Sequence, residues 1–328
     1  MVPRTIVVSG VIILLAHAAL AQPRDSKLLV VTTIPPLAAL VKAVGGESVE
    51  VRYLVPCTSD PHQYAPRPED MELASKCDLF VEVGKEPFLE TLPGERGRVR
   101  ITWSDWVSSG LSIEAGNPHY IWLYPPNAVK AAYLIAKRLA KLDPAGAALY
   151  VARANAFAEE VQHLEEWGRG YVSVHGVGGA TVVAVGSHFI PLLKYFGFRV
   201  IGPLTVSEGQ APSPSDTAKL IADARRAGAK VVVVLASQRN SDEGRIGRAI
   251  ASELGVNVVY LHGIQFSGED DYVEYIKYTL TALVAALEAS HHEGEGNSSY
   301  WPALVSALGL LALVEAVLLV RGWGRSGA

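Results

Sequence analysis

Short apolar runs alternate with segments of helical periodicity through most of the chain. Residues 30–33, 49–55, 79–83, 181–185, 230–235 and 257–261 are short and rich in apolar or β-branched residues, as buried strands are. Between them, apolar positions recur at helical spacing near residues 37–44, 68–76, 127–142, 215–227, 243–254 and 271–289. Val129, Ala132, Tyr133, Ala136, Leu139 and Ala140 form one such stripe. Strands of buried type alternating with helices predict parallel α/β sheets. One segment breaks the alternation. Asp143-Pro144 supplies a cap and a first-turn proline, and the run from there to about Trp167 holds no glycine except Gly146. A helix of more than about twenty residues is long for a globular domain. The expected fold class is therefore α/β: two lobes with parallel sheets, 24–142 and 171–289, joined by one long rigid helix over 143–170.

Both ends carry apolar runs of a different kind. Arg4 precedes an apolar stretch over residues 6–15, and Ala19-Leu20-Ala21 follows it. Charge, apolar core and small residues in that order predict a cleavable export signal over 1–21. No cysteine lies near the cleavage position, which excludes lipid attachment there. Residues 303–320 are apolar apart from Ser306, Gly309 and Glu315, with Tyr300 and Trp301 before them and Trp323 after. A helix of that length spans roughly 27 Å, near the thickness of a hydrocarbon core. The expectation is a transmembrane anchor over 301–320, with Arg321 and Arg325 placing the tail 321–328 in the cytoplasm. Glu315 keeps a buried helix as the alternative. Residues 290–300 read as a flexible tether, which leaves the body extracytoplasmic and held to the cell membrane.

About 270 residues lie between the ends, room for one large domain or two smaller ones. A net charge of −4 and the lack of a basic run argue against nucleic acid as a partner, and a monomer is expected. Cys57 and Cys77 fall at opposite ends of a strand–helix unit, too far apart to bridge, and are read as thiols.

The candidate chemistry lies in the nine histidines. Two follow prolines in loop-like stretches, Asp60-Pro61-His62-Gln63-Tyr64 and Asn117-Pro118-His119-Tyr120. Proline fixes φ and stiffens the backbone that presents the ring, and imidazole is the commonest protein ligand for a transition metal. His62, His188 and His262 each stand just beyond the carboxyl end of an expected strand, and His119 stands ahead of a helix. Open α/β sheets bind ligands outside the carboxyl ends of their strands. With two of the four histidines in each lobe, the pattern predicts a metal site closed between lobes. His163, among Glu159, Glu160, Glu165 and Glu166, reads as a solvated face. His291-His292-Glu293 is either a weak auxiliary capture segment or plain linker.

Several longer motifs surround these histidines. They include Thr33-Ile34-Pro35-Pro36-Leu37, Leu54-Val55-Pro56, Asp60-Pro61-His62-x-Tyr64-x-Pro66-x-Pro68-x-Asp70 and Gly84-x-Glu86-Pro87. Asn117-Pro118-His119-x-x-Trp122-Leu123 and Ser187-His188-x-x-x-x-Leu193-x-Tyr195-Phe196-Gly197 follow. Together they resemble the zinc/manganese-binding (cluster A-I) solute-binding proteins of ABC transporters, over about residues 28–289. The resemblance implies two α/β lobes on a long helix, a metal held between them, and delivery to a membrane permease with its ATPase. It carries the ligand role to His62, His119 and His188. The fourth ligand of the family is usually acidic, and His262 stands in its place, so this ligand is His262, a water or a nearby carboxylate such as Asp270. Asn117 also departs from the family's usual Asp, and Gln210-Ala211-Pro212 lacks its usual Glu. No histidine-rich loop occurs in 88–116.

Three or four neutral imidazoles suit zinc, and also copper or nickel, whereas manganese takes a larger share of carboxylate oxygen. The expected cargo is Zn(II), with Mn(II) or another divalent transition metal as the alternative. A closed tetrahedral nitrogen site leaves no position for a reacting water. The chain also lacks a His-Glu-x-x-His helix, a Gly-x-Ser-x-Gly turn and a phosphate-cradling glycine loop. No enzymatic activity and no catalytic residue are expected. The competing readings are an exported metal-dependent hydrolase and a metal-binding adhesin without a transport role.

Overall fold

The computed structural model describes residues 26–56, 59–92, 99–204, 212–263 and 271–295 of the 328-residue chain. The first lobe contains β1 (Leu28–Thr32), α1 (Pro35–Gly45), β2 (Val49–Tyr53), α2 (Pro68–Lys76), β3 (Leu79–Val81), β4 (Val99–Ile101), α3 (Trp103–Ser108), α4 (Tyr120–Leu123) and α5 (Pro125–Leu142). A long helix, α6 (Ala147–Val174), follows. The second lobe contains β5 (Thr181–Ala184), α7 (Ile190–Tyr195), β6 (Arg199–Ile201), α8 (Pro214–Arg226), β7 (Val231–Leu235), α9 (Asp242–Leu254), β8 (Asn257–Leu261) and α10 (Tyr272–Glu295).

Each lobe is built on a four-stranded sheet, ordered β2-β1-β3-β4 in the first and β6-β5-β7-β8 in the second. Every pairing is parallel: Val30 lies beside Val51 and Leu79, and Val183 beside Ile201 and Val232. Parallel strands are covered by helices on both faces and so become apolar throughout. Accordingly, Leu79–Val81 and Val231–Leu235 are buried at every residue. In both sheets the chain starts at an inner strand, steps to one side, then crosses to the other. The switch point therefore lies between β1 and β3 in one lobe and between β5 and β7 in the other. A crevice opens beyond the strand ends at such a point.

The two lobes are fastened to α6, whose 28 residues span roughly 42 Å. Its buried stripe runs Tyr150, Ala154, Phe157, Val161, Leu164, Gly168, Val172, in steps of three or four that keep one face inward. Arg153 Nη1 donates to Gly45 O of α1 at 2.5 Å, tying the helix to the first lobe. At the other end Phe196 seats on Gly168, where a Cβ would lie 2.3 Å from Phe196 Cε1. The helix starts later than the sequence pattern implies, because Pro144–Gly146 forms a separate 3₁₀ turn. It also continues beyond Trp167, since Gly168 is a packing contact rather than a terminator.

The expected fold is corrected in one respect. No helix among the described residues is long and apolar enough to cross a membrane, so the expected C-terminal transmembrane helix is not part of the described fold. The last described helix, α10, is instead a lobe helix. It buries Ile276, Leu280, Leu283, Val284 and Leu287 and carries Glu274, Lys277 and Glu288 between them. It runs beyond Ala289 to Glu295. The apolar run that pointed to an anchor, 303–320, lies outside the described residues. So do the leader 1–21, Cys57, Gln210, Ala211 and Asp270.

Candidate metal centre

The carboxyl ends of the central strands of both sheets open on one cavity of about 60 Å³. Ile34 follows β1, Val83 and Glu86 follow β3, and Leu235 closes β7. His62, His119, His188 and His262 all line it. A water needs roughly 10–15 Å³ of space, so the cavity has room for an ion together with waters.

His62 lies in the loop that leaves β2. Its backbone N–H donates to Asp60 Oδ1 at 2.9 Å, and Gln63 N donates to Asp60 O at 3.1 Å. This side-chain-fastened turn is the local chemistry that Asp and Pro favour. Asp60 Oδ2 also accepts from Gln238 Nε2, 2.9 Å away in the second lobe.

His119 is the most enclosed of the four, 5 % exposed. Asn117 Oδ1 accepts from its backbone N–H at 3.0 Å and stands 2.7 Å from its Nδ1. The amide orientation is fixed by its partners, since Asn117 Nδ2 faces an acceptor, Ser187 O, at 2.9 Å. An amide oxygen only accepts. His119 Nδ1 therefore carries the hydrogen, which leaves the Nε2 lone pair for a ligand. Asn127, fully buried at the start of α5, pins the loop around this ring. It donates to Tyr120 O at 2.9 Å and Ser112 O at 2.8 Å, and it accepts from Ser112 N at 2.9 Å.

His188 follows β5, and its ring centroid lies 4.1 Å from that of His119. Trp122 stands edge-on to His119 at 5.2 Å. His262 follows β8, where Tyr275 of α10 donates its hydroxyl to His262 O at 2.9 Å. Gly263 lets this loop pass close to β7, because a Cβ there would lie 2.6 Å from Leu235 Cδ1. Burial holds the His119 imidazole well below its usual pKa, and the nearby His188 and His62 push it further down. Burial lowers His262 as well. The deprotonated ring is the form that binds a metal.

Among the described residues, no three His, Cys, Asp or Glu side chains are grouped so that they could hold a metal ion as they stand. The four imidazoles face a common cavity rather than a preformed coordination shell. Glu86 is buried beside them, with its oxygens taken by the N–H groups of Val83 (3.2 Å), Gly84 (2.8 Å) and Lys85 (3.0 Å). It fastens the turn after β3. Sequence reading placed Glu86 and Asn117 in motifs without a role, and missed Gln238 and Asn127. Asn117 and Asn127 carried no signal beyond their neighbourhood to a Pro-His and a Pro-Pro pair, and Gln238 carried none.

The sequence profile of the family described as ZnuA, zinc-uptake complex component A, periplasmic, matches residues 30–286. The manganese-binding lipoprotein MntA of Halalkalibacterium halodurans is 26% identical over 267 residues, covering 79% of this chain and 88% of that protein. The high-affinity zinc uptake system protein ZnuA of Bacillus subtilis is 23% identical over 296 residues, covering 81% and 90%. In structure, the laminin binding protein Lmb of Streptococcus agalactiae, described as bifunctional with adhesin and metal transporting activity, superposes with a TM-score of 0.67. It is 26% identical, and the match covers 79% of this chain and 99% of that one. The chain belongs to the zinc-uptake complex component A family, whose members are metal-binding substrate-binding proteins of ABC transporters and not enzymes.

Proposed function

We propose that the cargo is zinc(II), taken up outside the cytoplasm and passed to an ABC permease and its ATPase, with His62, His119, His188 and His262 as ligands. One observation carries the reading: four imidazoles from two lobes line one cavity. Relatives of this chain are named for manganese in one case and zinc in another, so the choice falls to the donors. Neutral nitrogen suits zinc, whereas manganese is better served by carboxylate and water oxygen. Glu86 and Asp60, the carboxylates that line the cavity, accept hydrogen bonds from backbone or amide N–H groups. His119, kept neutral by burial, offers Nε2 without first losing a proton. The rings converge on the ion by small rotations of loops that are already fastened at Asp60 and Asn117.

Calorimetric titration of the protein with zinc(II) and with manganese(II) tests this. The expected result is one zinc site, with zinc bound more tightly than manganese, and loss of that site in His62→Ala and in His188→Ala. Unchanged zinc affinity in both variants would place the site elsewhere.

A further inference from the structure

We propose that Asn117 is a positioning residue that couples the two halves of the metal cavity: it orients the His119 ring of one lobe and clasps the loop bearing His188 in the other. The inference rests on the reading of His119 and His188 as ligands.

One carboxamide serves both lobes. Its oxygen faces the first lobe, taking the His119 backbone N–H at 3.0 Å and His119 Nδ1 at 2.7 Å. Its nitrogen crosses the cleft and donates to Ser187 O at 2.9 Å. Ser187 is the residue immediately before His188. The distance between the two rings, 4.1 Å between centroids, is thus spanned in parallel by a short polar link at their bases. Gln238 and Asp60 form a second link, on the His62 side of the cavity, and Asn117 adds to its own link a contact with an imidazole.

The chemistry of the link requires an amide. A carboxylate presents acceptors alone, so an aspartate at this position would still hold His119 through one oxygen. Its other oxygen would then meet the Ser187 carbonyl with no hydrogen between them. Serine is too short to reach both partners, and alanine reaches neither. Asn117→Asp therefore separates orientation of the ring from coupling of the lobes, and Asn117→Ala removes both.

Three measurements on the full-length protein decide the matter. Nitrogen-detected imidazole spectra of the metal-free protein should show the His119 hydrogen on Nδ1 in the parent and in Asn117→Asp, and not in Asn117→Ala. Hydrogen–deuterium exchange over residues 186–193 of the metal-free protein should be about fivefold faster in Asn117→Asp, the factor expected for one lost hydrogen bond. Zinc(II) release into a chelator should accelerate by a similar factor in that variant. Parent-like exchange and release in Asn117→Asp overturn the coupling, and an unchanged His119 tautomer in Asn117→Ala overturns the orientation. If Asn117→Ala does not fold, Asn117→Asp alone decides the coupling. Should the parent protein bind no zinc, the zinc reading falls while the first two measurements still judge Asn117.

Discussion

The imidazoles of His119 and His188 come from different lobes and lie with ring centroids 4.1 Å apart at a tilt of 47°. At that separation a proton on one ring disfavours a proton on the other. Burial is the larger cause, and together they hold the His119 pKa well below its usual value. In the unfolded chain the same ring titrates near 6.5. Between those two values the unfolded state binds a proton that the native state does not. The contribution to stability is thus complete above about pH 6.5 and is lost as pH falls below it, with a slope of up to about 1.4 kcal/mol per pH unit. Urea unfolding of the metal-free protein between pH 8 and pH 5 should show this decline. The decline should be shallower in His119→Gln, which cannot titrate. An identical pH dependence in the two proteins would refute the assignment. The lowered pKa of His262 acts in the same direction.

Asn127 makes three hydrogen bonds from a position with no exposure. Asn127→Ala leaves Ser112 and Tyr120 backbone groups without those partners, at a cost of roughly 1–3 kcal/mol for the buried Tyr120 carbonyl and less for the exposed Ser112. Thermal unfolding should report a clear loss of stability. Calorimetry should show weaker zinc binding, because the loop that carries His119 is no longer pinned. A variant with parent stability and affinity would show that the loop is held by other means.

Phe196 and Gly168 meet so closely that an added methyl group has nowhere to go. Gly168→Ala should destabilise the protein by about 1–3 kcal/mol through overpacking, even though alanine is the better helix former. Trimming the ring in a Gly168→Ala/Phe196→Leu double variant should recover part of that loss. Additive penalties in the double-mutant cycle would mean that the two sites do not interact.

His262→Asp replaces a nitrogen donor with carboxylate oxygen. The ratio of zinc to manganese affinity should then fall by roughly an order of magnitude, following the donor preferences of the two ions. Competitive titration measures this directly, and an unchanged ratio would remove His262 from the set of ligands.

Much of this architecture is legible along the chain, for a reason that also marks the limits. Parallel strands buried on both faces are near-continuous apolar runs, so Val231–Leu235 stands out. Pro68–Lys76 announces itself by its leading proline and acidic first turn. The strands Val99–Ile101 and Arg199–Ile201 do not, because three residues cannot display a period. Neither do the six-residue helices Trp103–Ser108 and Ile190–Tyr195. The glycines near the end of α6 read as a stop, yet the contact with Phe196 outweighs the local propensity. The places of His62, His188 and His262 beyond strand ends, and of His119 ahead of a helix, pointed toward the one cavity that all four line. The bonds of Asn117 to Ser187 and of Gln238 to Asp60 were not foreseeable, since they depend on how the two lobes face each other. The apolar run near the C-terminus shows the opposite hazard. It has the length and flanks of a membrane span, but no described helix has that character.

The lining of the chamber between the lobes makes dehydration a filter. A divalent ion reaches the protein inside a shell of water, and imidazoles can take hold of it only where that water is given up. Magnesium gives up water reluctantly and demands octahedral oxygen, for which imidazole nitrogen is a poor replacement. An ion that exchanges water readily for nitrogen meets no such barrier. Sorting among cations thus begins with the exchange of water for nitrogen, before any ligand has closed around its cargo.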